Sequence, residues 1–436
     1  PRAQGLTERL SDMLASVART GQDSARATSE YYARAGKDER RLVNASFFMG
    51  VSGGILWYVL ALYWASLGFS SEEIGLMYGA GTSAGIVTLL FSGFIADKLG
   101  RKKLLLTGLA LNSVALALFL YEKNIAVYAG AYGLASMASS LTFPSLTALM
   151  ATKTTPLRMK FLFGMQSFSS QVGLTAAMFT GIFAPTFMYE NHGLAESTGY
   201  WYVFLAAAAC SLAPIFLALR VSETSVKGAK IRMSFDSRNR KMLFFYAVQN
   251  ALIGFGAALL IPWFPLVFQY GMGASGAEVA YILALSNVSI AVALFIVPKL
   301  AEARGSVALV TIWQVASVVP MVLIAYAPTL MVVALLYTTR SLLMLAPIPV
   351  LNAYLMNVVS HDIRSSFMAI TQAAWSTSFS AASVIAGYVW AAGYDLTAPF
   401  YYCAGFYVAG SLVFYLYFRK IREHPEGQAQ QADAGA

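Results

Sequence analysis

Residues 93–103 read GFIADKLGRKK, and this short polar stretch separates two long apolar runs. Gly100 permits a tight turn, because glycine adopts backbone conformations that other residues rarely reach. Asp97 falls at the end of the first run, where its charge can interact with the positive N-terminus of a neighbouring helix and with Arg101. The pattern predicts two apolar helices joined by a charged loop that can form contacts in one state and lose them in another.

The composition predicts a protein that lipid must solvate. Of 436 residues, 58% are hydrophobic and only 12% are charged, which is more apolar surface than a water-soluble core could bury. A helix needs about 20 apolar residues to cross the hydrocarbon layer, so the chain has room for about twelve spans and for little else. We therefore expect an all-α integral membrane protein with twelve transmembrane helices.

Apolar runs bounded by charge, glycine or proline define these twelve predicted spans. The first six lie near 42–66, 74–97, 103–121, 125–151, 159–188 and 200–220. The second six lie near 241–269, 277–298, 306–326, 328–357, 365–391 and 398–419.

The positive charges predict the orientation. If the N-terminus is cytoplasmic, every Lys and Arg except Lys123 and Arg340 falls in the tails or in connections on that same side. Basic residues are enriched in cytoplasmic loops, so both termini are expected in the cytoplasm of a multi-pass inner-membrane protein.

The two halves repeat at a nearly constant offset. Gly68 and Gly100 recur 205 residues later as Gly273 and Gly305, at the same predicted helix ends. This repeat indicates an ancestral duplication and two pseudo-symmetric six-helix bundles. The predicted organisation is a cytoplasmic N-terminal segment 1–41, an N-terminal bundle 42–220, a cytoplasmic linker 221–240, a C-terminal bundle 241–419 and a cytoplasmic tail 420–436.

Several function classes lack the residues that they need. No His, Asp or Glu falls deep inside a predicted span, so neither an acid-base pair nor a metal-ligand cluster is expected there, and enzyme activity is disfavoured. No phosphate-binding Gly-x-x-x-x-Gly-Lys-Ser/Thr loop is present, which argues against an ATP-driven pump. The basic residues lie between apolar runs without a face for nucleic acid, and neither cofactor nor metal is expected.

The loop at 93–103 resembles the signature cytoplasmic loop of the major facilitator superfamily, and the resemblance extends over all twelve spans and the duplicated layout. It implies two bundles that enclose one central cavity and expose it alternately to each side of the membrane. It also implies a gating role for Asp97, Gly100 and Arg101, which would hold the cytoplasmic side closed. The alternative is that the basic residues of the loop only fix the topology.

Span two carries two patterns of small residues four positions apart, Gly75 with Gly79 and Gly81 with Gly85. Such patterns let helix backbones approach closely. A sliding contact between bundles and static packing would both use them, and the sequence leaves the two open.

Arg340 is the candidate substrate-binding residue. It lies about 18 Å into span ten, close to the bilayer midplane, where no acidic side chain is available. A charge at that depth needs a wet cavity or a partner, so we interpret it as the counter-charge of an anionic ligand. In the alternative interpretation, carbonyls freed near Pro347 and Pro349 satisfy the guanidinium.

Further candidates for substrate contact are polar and aromatic residues at comparable depth, namely Gln249, Asn250, Gln166, Gln372 and Trp57. The superfamily resemblance favours them, because spans one, four, seven and ten line the cavity with help from spans two, five, eight and eleven. The alternatives are interhelical hydrogen bonds for the amides and lipid-interface packing for the tryptophan.

The predicted function is secondary active or facilitative transport of a small organic solute, with Arg340 balancing an anionic charge. A proton-coupled multidrug exporter is the alternative within transport, although span four lacks the charge that many proton-coupled members carry. A non-transporting membrane sensor or assembly partner is the alternative from another class. The expected partners are the lipid bilayer, the solute and a coupling ion, and the expected state is a monomer.

Overall fold

The computed structural model describes residue 32 and residues 35–121, 123–154, 156–222, 237–359, 363–394 and 397–421. In this part of the chain, twelve helical segments follow one another in the order of the predicted spans. A helix satisfies its backbone hydrogen bonds internally, which is what an apolar segment needs in lipid. We number these segments α1 to α12.

Each half of the chain contributes six helices. The first half contains α1 (Lys37–Ser66), α2 (Ser71–Leu99), α3 (Arg101–Leu118), α4 (Ile125–Ala151), α5 (Pro156–His192) and α6 (Glu196–Leu219). The second half contains α7 (Ser237–Gly271), α8 (Gly276–Arg304), α9 (Ser306–Ile324), α10 (Leu330–Val358), α11 (Arg364–Trp390) and α12 (Ala398–Phe418).

The predicted spans agree with the helices, and the differences are at the ends. Helix α4 has the predicted bounds, whereas α1 begins at Lys37, before the predicted start at 42. Its first turn is charged, and Glu39 accepts a hydrogen bond from the backbone N–H of Gly36, which caps the helix. Hydropathy detects only the apolar part of a helix, so it does not predict a polar first turn.

Among the described residues, nine helices are long and apolar enough to cross a membrane by length and composition. The other three are α3, α8 and α11. Helix α3 begins with the basic run at Arg101, and α11 is rich in Ser and Thr, so polar residues explain their lower hydropathy. The part of α8 whose side chains the structure describes, Gly276–Ile290, is a shorter apolar helix. These three helices complete the twelve.

The two halves begin their second helix in the same way. The backbone N–H of Ser70 donates to Glu73 Oε2 at 2.8 Å, and the backbone N–H of Ser275 donates to Glu278 Oε2 at 2.8 Å. In return, the N–H of each glutamate donates to the serine Oγ at 3.3 Å. These are two copies of one capping box, which satisfies helix N–H groups that otherwise have no partner.

The turns next to these helices are also duplicated. Gly68 and Gly273 have φ angles of 75° and 69°, and Gly100 and Gly305 have φ angles of 85° and 80°. A side chain is strained in this left-handed region, so glycine is required at all four turns. The 205-residue offset in the sequence therefore corresponds to equivalent backbone turns in both bundles.

The two ends of the molecule differ in how the bundles pack. We call the end that carries the α2–α3 loop and Ser237 the basic end. At the opposite end, one large cluster of buried apolar residues includes both halves, with Tyr63 and Phe204 from the first and Trp263 and Phe400 from the second.

At the basic end, each bundle has a core of its own. One cluster contains Leu42 and Leu149 of the first half, and another contains Tyr354 and Phe418 of the second half. The bundles are thus joined at the opposite end, while their cores are separate at the basic end.

Helices α2 and α11 join the bundles through small and polar residues. The Ser71 and Tyr394 hydroxyls lie 2.9 Å apart, and the Ser83 and Ser380 hydroxyls lie 2.8 Å apart. Between these bonds, a Cβ atom on Gly75 would lie 2.6 Å from the Ser383 carbonyl oxygen. The helices therefore touch backbone to backbone.

The second glycine pair of α2 packs inside the first bundle. Gly81 faces Tyr132 of α4, and a Cβ atom on Gly85 would lie 2.8 Å from Ser136 Cβ of the same helix. Gly75 and Gly79 face α11 instead. One glycine pair of α2 thus lies at the contact between the bundles, and the other lies inside the first bundle.

Candidate functional site

Arg340 lies inside the second bundle and is only 3% exposed. Its Nη2 donates to the Tyr407 hydroxyl of α12 at 3.0 Å, whereas its Nε, also buried, has no hydrogen-bond partner among the described residues. The guanidinium carbon lies 5.8 Å from the ring centre of Phe264 and 5.7 Å from that of Tyr407. Cation–π attraction and one phenol therefore stabilise the charge in part.

The alternative partners proposed from the sequence are not the ones observed. The hydrogen bond of Arg340 goes to a phenol of α12, and none goes to the carbonyls near Pro347 and Pro349. In the described part of the chain, the ion pairs involve Asp38, so Arg340 has no carboxylate partner there. No carboxylate in the described part of the chain therefore neutralises the positive charge of Arg340.

A polar network connects Arg340 with the other bundle. Gln171 of α5 donates from Nε2 to Asn287 Oδ1 of α8 at 2.7 Å. The Tyr58 hydroxyl of α1 interacts with the Asn287 side chain and lies within electrostatic range of Arg340. The network thus joins the two bundles, with α5 and α1 from the first bundle and α8 and α10 from the second.

A π-helical segment in α1, Ile55–Val59, places the α1 residues of this site. The wider turn of a π-helix interrupts the regular i to i−4 pattern and reorients the side chains that it carries, and such segments are frequent at functional sites. Trp57 and Tyr58 are both in it. Helical periodicity in the sequence does not reveal this segment.

Trp57 reaches from the first bundle to an aromatic row on α11. Its ring centre lies 6.0 Å from that of Phe379, at an interplanar angle of 26°. Phe379 in turn lies 4.7 Å from Trp375, at 22°. Trp57 is 37% exposed, whereas Phe379 is buried. The predicted site residue Trp57 is thus part of a stack of three nearly parallel rings that includes both bundles.

The four predicted amides lie closer to the basic end than the Trp57 stack and the Arg340 network do. Gln249 is 15 positions before Phe264 on α7, which corresponds to about 20 Å along the helix, and it is buried. Asn250, beside it, donates to the Tyr246 carbonyl at 2.9 Å. Gln166 is half-buried and Gln372 is exposed. The structure therefore brings Trp57 close to the Arg340 network and leaves the amides outside it.

The predicted gating loop has the expected turn. Gly100 has a positive φ of 85° between α2 and α3, and Arg101 Nη1 donates to the Ala148 carbonyl of α4 at 3.2 Å. Lys102 donates from Nζ to the Leu219 carbonyl of α6 at 2.9 Å. The side chain of Asp97 lies outside the described part of the chain. The loop thus ties α3 to the ends of α4 and α6.

A charged network at the basic end was not predicted from the sequence. Asp38 pairs with Arg41 at 3.0 Å and with Lys153 at 3.5 Å. The backbone N–H of Ser222 donates to the same carboxylate at 3.0 Å. The network joins the start of α1 to the end of α4 and to the residue that follows α6, so these charges have structural partners in addition to their topological role.

A cavity of about 440 Å³ opens at the opposite end, within the second bundle. Val333, which lines it, is about 10 Å along α10 from Arg340, and buried Tyr337 lies between them. This cavity is therefore separate from the Arg340 network. Its lining also includes Val267, Met272, Ile324, Thr329, Tyr394 and Phe400.

The profile of the Major Facilitator Superfamily matches residues 42–347, which is well over half of the chain. The chain belongs to the major facilitator superfamily. It is a membrane transporter rather than an enzyme, and its helices and bundles have the fold of this superfamily.

Two solved superfamily structures are similar along most of the chain. The nucleoside transporter NupG is 16% identical, with a TM-score of 0.69 over 86% of this chain and 98% of that one. The D-xylose-proton symporter is 14% identical, with a TM-score of 0.69 over 90% of this chain and 98% of that one. At these identities, the similarity is one of fold.

Similarity to a curated relative is local. The quinolone resistance protein NorA of Staphylococcus aureus is 31% identical over 104 residues, which are 24% of this chain and 26% of that protein. The chain thus matches about a quarter of NorA's length, and the match shows a superfamily relationship without a substrate.

Proposed function

We propose that this transporter carries a small organic anion across the cytoplasmic membrane by alternating access, with Arg340 as the counter-charge. The supporting observation is the guanidinium itself, which is 3% exposed and has a buried Nε without a partner in the described residues. A buried charge without a counter-charge is costly in a membrane. An anionic ligand would supply the missing acceptors and reduce that cost.

We further propose that the basic end faces the cytoplasm, with both termini on that side. The distribution of Lys and Arg supports this orientation. Since the bundles share one core at the opposite end and have separate cores at the basic end, the structure then corresponds to an inward-open state. The proposed bundles remain 42–220 and 241–419, and the proposed unit is a monomer that binds no nucleic acid.

Proton-coupled multidrug export is the second candidate. The local similarity to a quinolone resistance protein and the aromatic row at Trp57 favour it. The two candidates differ in the charge dependence of binding. Arg340 makes an organic anion a better ligand than a neutral molecule of the same shape, whereas a broad apolar site would bind both.

Thermal unfolding of the purified protein tests the proposal. Wild type is heated with pairs of ligands that differ in charge, such as lactate with lactamide and benzoate with benzamide. A ligand at 100 times its Kd stabilises the folded protein by about 2.7 kcal/mol, so an anion that binds gives a clear rise in melting temperature. We expect such a rise for at least one anion and a smaller one for its amide.

Substitutions then assign the effect to Arg340. Arg340→Lys should weaken anion binding, because an ammonium lacks the planar pair of donors, and Arg340→Gln should nearly abolish it. Arg240→Gln makes the same chemical change at an exposed position and should have no effect. A lowered melting temperature with unchanged anion affinity in Arg340→Gln would make Arg340 a structural residue and would overturn the proposal.

A further inference from the structure

The exposure of Trp57 differs from that of the large aromatic residues around it. Trp57 is 37% exposed, whereas Trp64, Trp263 and Trp390 are at most 1% exposed. Its position between the bundles, with its ring nearly parallel to that of Phe379 of α11, places it on the interface and not on the lipid-facing periphery. The stack of three rings therefore ends in an aromatic residue that still has accessible surface.

The charged part of the site adjoins this ring. Tyr58 is the next residue in the π-helical segment, it is half-buried, and its hydroxyl lies within electrostatic range of Arg340. In the proposed arrangement, a ligand on Trp57 has the Tyr58 hydroxyl next to its ring and the buried Arg340 guanidinium beyond that hydroxyl.

We propose that the ligand of this site is a planar aromatic monoanion, with its ring against Trp57 and its charged group toward Tyr58 and Arg340. The inference rests on the proposed function, which assigns Arg340 as the counter-charge, and adds the class of substrate. One guanidinium balances one negative charge, so a monoanion leaves no buried excess. A flat ring extends the stack, since aromatic pairs are more favourable than their buried area alone explains.

Four probes of nearly equal size separate the contribution of the aromatic ring from that of the negative charge. Benzenesulfonate is aromatic and anionic at every accessible pH, cyclohexanesulfonate is anionic without the ring, and benzenesulfonamide has the ring and is neutral at pH 7. Cyclohexanesulfonamide has neither feature. Their affinities for the purified protein are measured by isothermal titration calorimetry in one detergent and at one salt concentration.

We expect wild type to bind benzenesulfonate about 3- to 10-fold more tightly than cyclohexanesulfonate, the range that corresponds to one aromatic pair. Benzenesulfonamide should bind at least tenfold more weakly than benzenesulfonate. Trp57→Leu should remove the preference for the ring and keep the preference for the charge, whereas Arg340→Gln should do the reverse. Trp57→Phe should restore most of the preference for the ring.

Controls distinguish a local effect from a general one. Trp313→Leu removes a half-buried tryptophan that packs on the separate core of the second bundle, and both preferences should stay unchanged. Melting temperatures of all variants without ligand show which of them are folded, and the Trp57→Phe variant keeps the test valid if Trp57→Leu is unstable.

The possible outcomes separate the two proposals. Equal affinities for the two sulfonates in wild type, or a ring preference that survives in Trp57→Leu, would overturn the aromatic assignment and leave the anion proposal standing. Equal affinities for benzenesulfonate and benzenesulfonamide would overturn the anion proposal. If neither sulfonate binds, the aromatic assignment is wrong, and the paired ligands of the thermal-unfolding test decide the anion proposal.

Discussion

The Cα atom of Gly387 in α11 lies only 2.7 Å from the position that a Cβ atom on Gly75 of α2 would occupy. No carbon atom fits at that distance, so this contact between bundles requires glycine. Because Gly75 and Gly387 belong to different bundles, the contact forms when the bundles close at this end and is lost when they part.

The first prediction is that Gly75→Ala shifts the transporter toward the outward-open state. The added methyl group meets backbone atoms of α11 only in the closed arrangement, and overpacking of about 1–3 kcal/mol corresponds to a shift of about 5- to 150-fold. A cysteine at Ser71, one turn away and buried in this structure, reports the opening through its rate of reaction with an impermeant thiol reagent. Cys210 and Cys403 are first replaced by alanine.

Two other glycines of the first bundle serve as comparisons. Gly53→Ala adds a methyl group with no atom within 4 Å, so labelling should not rise and the melting temperature should not fall. Gly81→Ala clashes with Tyr132 inside the same bundle, so it should lower the melting temperature without increasing labelling. Equal labelling in Gly75→Ala and Gly53→Ala would show that α2 and α11 do not form the moving contact.

The second prediction concerns the hydrogen bond between Gln171 and Asn287. Asn287→Leu removes a polar contact between bundles, and such interhelical bonds contribute about 0.6 kcal/mol on average and at most about 1.7. We expect the Ser71 cysteine to become about 3-fold more reactive, and no more than about 20-fold. Gln171→Leu should act in the same direction.

The double variant shows whether the two side chains act together. If the hydrogen bond carries the effect, Gln171→Leu combined with Asn287→Leu should label no faster than either single variant. Fully additive effects would mean that each side chain stabilises the closed end independently of the other.

The third prediction concerns Asp97. Asp97→Asn keeps the size of the side chain and removes its charge, so protein that still inserts and binds ligand should lose most of its transport. Since the proposed role is to hold the cytoplasmic side closed, the Ser71 cysteine should label more slowly in this variant. Lys103→Gln, which removes an exposed charge of the same loop, is the control. If Asp97→Asn labels and transports like wild type, Asp97 has no role in gating.

The fourth prediction concerns orientation. Single cysteines at His192, the last residue of α5, and at Glu196, the first residue of α6, should react from outside intact cells. Cysteines at Lys102 and Ser237 should react only after the membrane is opened. These positions test the two ends of the bundle as the structure defines them. The reverse pattern would invert the proposed topology.

The sequence alone determined the helices, their order and the duplication of the chain. These properties depend on short-range patterns, since an apolar run of sufficient length must satisfy its backbone within one helix. Gly68, Gly100, Gly273 and Gly305 were recognisable for the same reason, because a tight turn restricts a single residue. The charged loop, together with the twelve predicted spans and the duplicated layout, was specific enough to indicate the superfamily.

The tertiary structure alone decided which side of each helix meets which neighbour. The sequence identified Arg340 as a buried charge, but its partner Tyr407 is 67 residues away and its neighbour Tyr58 is in the other bundle. The π-helical segment at Ile55–Val59 shifts its side chains in a way that no periodicity predicts. Gly75 and Gly81 look alike in the sequence, yet one contacts α11 and the other α4, because six residues rotate the chain to a different side of the helix.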